Sequence, residues 1–177
     1  MKLITFETRN SERVGALLRT EVVDLTAALG VSTMLAFLGG GDAMVARAEE
    51  AVRTGNHRLP LTDLEILAPI SNPDKILCVG MNYHEHCTEQ NFPIPTEPVI
   101  FSKFNTAITG PNSPVYFDSS MTQEMDWEVE MVIVIGKEGK FIKKENAMDY
   151  VVGYTVAHDL SARDWQLKKN GGQWLLG

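Results

Sequence analysis

Several features that would settle a protein's class at once are scarce or missing here. Only two cysteines, Cys78 and Cys87, stand in 177 residues, too few for a disulfide framework, so a reducing compartment is the default. No apolar run approaches the roughly 20 residues needed to cross a bilayer. No basic block exists either: 16 basic side chains stand against 23 acidic ones, a formal net charge of -7. Nucleic acid and anionic membrane are therefore poor partners. The opening Met1-Lys2-Leu3-Ile4-Thr5-Phe6-Glu7 reads as a strand, not as a secretory signal or an Arg-rich transit peptide. The run Gly39-Gly40-Gly41-Asp42 lacks the Lys-Ser/Thr of a phosphate loop and the spacing of a dinucleotide fingerprint, so it reads as a helix stop and linker.

What remains has the make-up of a soluble globular protein able to bury a core, with 44% hydrophobic and 22% charged residues. Residues 1 to about 65 read as a small α/β domain. Strands are expected at Lys2–Thr5 and Val14–Leu18, joined by the polar turn Arg9-Asn10-Ser11, with a third at Glu21–Leu25. Helical pieces are expected at Thr33–Leu38 and Ala43–Val52. Nothing in this part carries chemistry. Pro60 and Pro69 flank a crossing into a second domain, residues 70–177.

In the second domain, Lys75–Gly80 and Val99–Phe104 read as strands, and Val115–Phe117 as a short strand inside a turn-rich loop. Asn146–Tyr150 reads as a short helix. Tyr150–Ala157 is a further strand delivering His158 and Asp159 at its carboxyl end, followed by a helix over Ala162–Lys169 capped by Ser161. The organising stretch lies between these, Asp126-Trp127-Glu128-Val129-Glu130-Met131-Val132-Ile133-Val134-Ile135-Gly136. Its β-branched run makes a strand, and alternation puts Glu128 and Glu130 on one side, roughly 7 Å apart. Both parities are apolar toward the far end, as in a strand covered on both faces. Two carboxylates at the mouth of such a strand repel and lose hydration unless neutralised, and a hard divalent cation held by oxygen ligands would do so; a plain solvent face is the alternative. Asp159 suits a third oxygen ligand, or a capping role.

Asn82 and Glu85 have the spacing of a capping box, which starts a helix carrying His86 and Glu89 on one face. A carboxylate beside an imidazole raises its basicity, which suits a general base; an exposed polar helix is the other reading. A zinc site built on His84, His86, Cys78 and Cys87 matches no standard spacing. Lys103, the one charge in its strand, either meets a substrate carboxylate or snorkels to the surface. Arg163 and Gln166 share a helix face.

Four segments in order, Lys75-Ile76-Leu77-Cys78-Val79-Gly80-Met81-Asn82-Tyr83, Glu97-Pro98-Val99-Ile100-Phe101-Ser102-Lys103, Trp127-Glu128-Val129-Glu130 and Ala157-His158-Asp159-Leu160-Ser161-Ala162-Arg163-Asp164, together resemble the fumarylacetoacetate hydrolase family. The resemblance is strong over about residues 65–177. It implies an α+β, mostly β fold, a mixed β-roll catalytic domain preceded by the small amino-terminal domain. It implies Mg²⁺ (Mn²⁺ or Ca²⁺ in some members) on Glu128, Glu130 and Asp159, and a His86–Glu89 dyad on a lid helix. Arg163, Gln166 and Lys103 fall at substrate-contacting positions, although many members have Pro where Phe104 follows that lysine.

The implied chemistry is an enolate of a 2-oxo acid. It leads to keto–enol tautomerisation or decarboxylation of oxaloacetate, or to hydrolytic carbon–carbon cleavage of acylpyruvates and fumarylacetoacetate-like diketo acids. A homodimer and a mitochondrial or cytoplasmic location follow from the same resemblance. The chain closes on the apolar Trp174-Leu175-Leu176-Gly177, ahead of the family's catalytic lysine. That reads as an interruption inside the β-roll, so this form is expected to be an inactive metal-binding fragment, or poorly folded on its own.

Overall fold

The computed structural model describes residues 1–177 except Arg9 and Gln173, so one residue of the expected Arg9-Asn10-Ser11 turn lies outside the described residues. The chain gathers into two compact units. The first comprises Met1–Ser71, Thr109–Pro114 and Val129–Ala157; the second comprises Asn72–Ile108, Val115–Glu128 and His158–Gly177. No helix among the described residues is long and apolar enough to cross a membrane.

The first unit is built on an antiparallel sheet of β1 (Leu3–Thr8), β2 (Ser11–Leu17), β3 (Glu21–Asp24), β4 (Arg58–Pro60) and β5 (Glu65–Leu67), in the order β4-β3-β2-β1-β5. Its strands alternate so that Val14 and Ala16 of β2 point into a buried cluster with Val23, Leu25, Val31, Met34, Phe37 and Ala48. Each large member of such a cluster contributes about 1.5–3 kcal/mol by leaving water. Helices α1 (Leu25–Leu29), α2 (Met34–Gly39) and α3 (Gly41–Thr54) supply the other wall. Asp24 ends the third strand early and caps α1, accepting from the Ala27 amide at 2.9 Å while Arg13 Nε donates to it at 2.7 Å. That short helix was not expected. It forms because a strand ending in Asp, followed by Leu-Thr-Ala-Ala-Leu, has a cap and strong helix formers at once. The glycine run does stop a helix: Gly40 is both the carboxyl cap of α2 and the residue before α3.

In the second unit, β6 (Ile76–Gly80) pairs antiparallel with β7 (Val99–Lys103), Ile76 facing Lys103 and Gly80 facing Val99. The chain leaves β6 through Met81, which adopts a left-handed φ of 55°. Its carbonyl accepts from the buried Cys87 Sγ at 3.4 Å, and this closes the turn into α4 (His84–Glu89). The amino cap of α4 is therefore Tyr83, with no side-chain capping bond, and the expected Asn82–Glu85 box does not form: the left-handed turn moves the helix start one residue along.

The organising strand is β8 (Met125–Ile135), paired with β9 (Val151–Ala162). The Gly136 amide donates to the Tyr150 carbonyl at 2.9 Å at one end, and the Arg163 amide to the Glu124 carbonyl at 2.8 Å at the other, so the two run antiparallel. Parity holds: Glu128, Glu130, Val132 and Val134 are half-buried, and Trp127, Val129, Met131, Ile133 and Ile135 are exposed. A strand covered on both faces was expected; one face is uncovered among the described residues, because an apolar pattern marks a face that resists water without supplying its cover.

Four further expectations differ. β9 continues to Ala162, so Asp159 lies inside the strand, and Ser161 is buried there instead of capping a helix. Helix α5 spans only Arg163–Leu167, with no side-chain cap. Val115–Phe117 is irregular, since its neighbours Pro114 and Asp118 favour turns over ladder bonds, and 3-10 turns cover Lys144–Tyr150.

Candidate active site

Most of the residues singled out by the sequence lie in the second unit, and the local chain path explains their meeting. The bond from the Arg163 amide to the Glu124 carbonyl pins the start of α5 beside the start of β8. The Arg163 side chain consequently lies across the same-side residues Asp126 and Glu128. Its Nε and Nη2 donate to Asp126 Oδ2 at 2.9 and 2.7 Å, Nη2 also donates to Glu128 Oε1, and Nη1 donates to Gln166 Oε1 at 2.7 Å. The expected Arg163–Gln166 helix face is thus a direct hydrogen bond. Burial works against the Arg163 cation, yet the bonds to Glu128 and Asp126 outweigh it and hold the guanidinium above its ordinary value. The bond from Arg163 likewise keeps the Asp126 carboxyl below the usual carboxylate range, helped by the Trp127 amide and, more weakly, by the charge of His86.

Lys103 Nζ lies 2.7 Å from Asp159 Oδ1, with their side chains 25% and 12% exposed. The ion pair is close but poorly aligned, so this buried oxygen has a charge partner and no directed hydrogen-bond donor. Glu130 occupies the next same-parity position after Glu128 on β8 and is half-buried. His86 and Glu89 both lie on α4, His86 half-buried and Glu89 exposed. Among the described residues no hydrogen bond or ion pair joins these two, and no group of three or more His, Cys, Asp or Glu side chains stands clustered to hold a metal ion. The donor set still suits a hard cation in kind: three carboxylates, one with an oxygen in need of a partner. Glu128 and Asp159 at present satisfy their charge on Arg163 and Lys103.

Two residues that sequence reading passed over hold this framework. Asp126 precedes Glu128 by one alternation, so the spacing Asp-x-Glu-x-Glu was the signal. Asp164, directly after Arg163, accepts from Thr122 Oγ1 at 2.6 Å and from the Trp165 amide at 3.0 Å, and pairs with Lys169 Nζ at 2.8 Å. The bonds to Lys169 and then Thr122 lower its carboxyl from 3.8 to about 2. A folded-state value below the unfolded one adds stability that is fully present above the unfolded value and disappears as pH falls toward the folded one. Stability is therefore expected to decline as pH drops from 3.8 to about 2, and Asp164→Asn should flatten that acid limb in denaturant melts. An unchanged limb in the variant would assign the acid sensitivity elsewhere.

A separate surface groove of about 510 Å³ in the first unit is lined by Ala28, Leu29, Arg47, Glu50 and His57, among others, and holds none of the expected site residues.

The family described as fumarylacetoacetate (FAA) hydrolase C-terminal matches residues 75–177, more than half of the chain. The oxaloacetate tautomerase fahd2, mitochondrial, of Xenopus laevis is 49% identical over 183 residues, covering 100% of this chain and 57% of its own length. Among solved structures, fumarylacetoacetate hydrolase from psychrophilic Exiguobacterium antarcticum superposes with a TM-score of 0.80 at 30% identity, covering 100% of this chain and 61% of the other. Maleylpyruvate hydrolase from Sphingobium sp. SYK-6, crystallised with manganese(II) and pyruvate, gives a TM-score of 0.77 at 28% identity, over 92% of this chain and 60% of the other. The mixed α/β fold is that of these structures, and the chain spans little more than half the length of the proteins it matches.

Proposed function

Because the chain belongs to the fumarylacetoacetate hydrolase family, we propose that the protein carrying it acts on small 2-oxo acids with a divalent cation, chiefly as an oxaloacetate keto–enol tautomerase, with decarboxylation open to the same site. The observation that carries the reading is the pairing of Glu128 with Arg163 and of Asp159 with Lys103, carboxylates for a cation and cations for an anionic substrate in one unit. The tautomerase name of the Xenopus laevis relative supports the choice of substrate.

Glu128, Glu130 and Asp159 would hold the ion, Mg²⁺ in the first place, Mn²⁺ or Ca²⁺ as substitutes. Such an ion polarises a 2-oxo carbonyl and favours the negative charge that develops next to it. The residues of the chain supply the rest. Lys103 and Arg163 receive substrate carboxylates, and Gln166 adds a hydrogen-bonding amide beside Arg163. His86, oriented by Glu89 when α4 approaches the substrate, moves the proton between carbon and oxygen. A mitochondrial address, carried in the name of the relative, and a homodimer complete the reading.

Hydrolysis of acylpyruvates is the second reading, favoured by the likeness to maleylpyruvate hydrolase bound to manganese(II) and pyruvate. His86 would then activate water instead.

The test follows enol-to-keto conversion of oxaloacetate by the protein made from its complete coding sequence, with Mg²⁺ present or chelated. Conversion well above buffer that disappears with chelator is the expected result. Conversion no faster than buffer in either case would remove the tautomerase reading, and acylpyruvate cleavage would then be assayed.

A further inference from the structure

Asp126 is absent from the proposed machinery, yet it makes the most extensive contact with one of its members. A guanidinium has five N–H donors. In Arg163, two go to Asp126 Oδ2, one to Glu128 Oε1 and one to Gln166 Oε1. Asp126 is itself fixed, because its Oδ1 accepts from the Trp127 amide at 2.9 Å. Arg163 is fixed from the other side by its own amide on the Glu124 carbonyl. We propose that Asp126 is a positioning residue that grips Arg163 along its Nε–Nη2 edge and so presents the Nη1 end, beside Gln166, to a carboxylate of the bound substrate.

The inference rests on the reading of the site as one for 2-oxo acids. Within that reading, Glu128 cannot do this work. Its oxygens are wanted by a cation, and as they turn to it the bond to Arg163 weakens. Asp126 keeps two bonds throughout, and a fork held at two points loses less freedom on meeting a carboxylate than a free one. The positions agree with such a role: the Asp126 side chain is 47% exposed and Arg163 is 21% exposed, so removing the carboxylate opens no core cavity.

The test uses the protein made from its complete coding sequence, with oxalate as a non-reacting dicarboxylate probe and Mg²⁺ titrated alone. In Asp126→Asn, the KM for oxaloacetate and the oxalate Kd measured in Mg²⁺ should each rise about tenfold, with kcat and the Mg²⁺ Kd within about twofold of wild type. Asp126→Glu should recover part of the loss. In an Arg163→Lys background, adding Asp126→Asn should cost less than about twofold more, since the partner it positions is gone. Wild-type KM and oxalate Kd in Asp126→Asn overturn the proposal, as does a fall in kcat at unchanged KM or a full additional loss in the Arg163→Lys background. If the wild type itself binds no oxalate and converts no oxaloacetate, both this inference and the proposed function fall; if the wild type binds and converts while Asp126→Asn matches it, only this inference does.

Discussion

Glu128→Ala is expected to lower Mg²⁺-dependent oxaloacetate conversion by about 10³-fold or more and to weaken Mg²⁺ binding measured by calorimetry without substrate. Stabilisation of developing charge by a bound cation amounts to several kcal/mol, and about 4 kcal/mol corresponds to a factor of about 10³. Beside its proposed role as a ligand, Glu128 has a structural task that makes the expected loss larger than that of an ordinary oxygen ligand. Its Oε1 takes one Nη2 bond of Arg163, and both residues sit at 26% and 21% side-chain exposure, where an unpaired charge is poorly hydrated. Alanine removes the proposed ligand and leaves the guanidinium to Asp126 and Gln166 alone. The strand should tolerate the change, because β8 pairs with β9 through backbone bonds and its β-branched run is untouched. A variant that binds Mg²⁺ as wild type does and turns over within tenfold of it would place the cation elsewhere. Stoichiometric zinc that survives the substitution would point instead to His84 and His86.

The contrast between Glu128 and Arg163 shows which features of this molecule were legible in the sequence. Strand β8 was, since a run of Val and Ile with a Glu-x-Glu start leaves little choice of period, and the half-buried and exposed parities came out as the alternation demands. The pairing of Arg163 with Gln166 was legible for the same reason, being three residues apart on one short helix. Contacts set by tertiary path were not. Asp126 and Arg163 are 37 residues apart, and their meeting depends on the ladder that ends at the Glu124 carbonyl. The sequence suggests separate tasks for Lys103 and Asp159, and their 2.7 Å pair depends on the packing of strands from different ribbons. Helix boundaries suffered from local decisions that no pattern announces: the left-handed Met81 displaces a plausible cap at Asn82, and β9 absorbs Ser161 because its ladder with β8 outlasts the apolar run.

His86→Ala should reduce turnover by about 10²–10⁴-fold while leaving Mg²⁺ and oxalate affinities close to wild type. The helix that carries it is short, and a six-residue helix is not stable by propensity alone. It is held from below by Cys87, which is buried, donates its thiol to the Met81 carbonyl and lends its own carbonyl to the Phe92 amide at 2.9 Å. That anchor leaves His86 half-buried on the neighbouring position, within electrostatic reach of Asp126, while Glu89 faces water. Under the proposed function, an imidazole in this place would exchange a proton with a substrate whose carboxylates rest on Lys103 and Arg163, and alanine at 86 would remove the exchange without touching either cation. Under the proposed role of Glu89, Glu89→Gln should cost less, about tenfold, because it would weaken only the orientation of the ring and leave the ring itself. Loss of conversion with intact Mg²⁺ and oxalate binding assigns proton transfer to His86. Turnover within tenfold of wild type in His86→Ala would assign it to another group, and simultaneous loss of both affinities would mean that the helix organises the binding site instead of serving it.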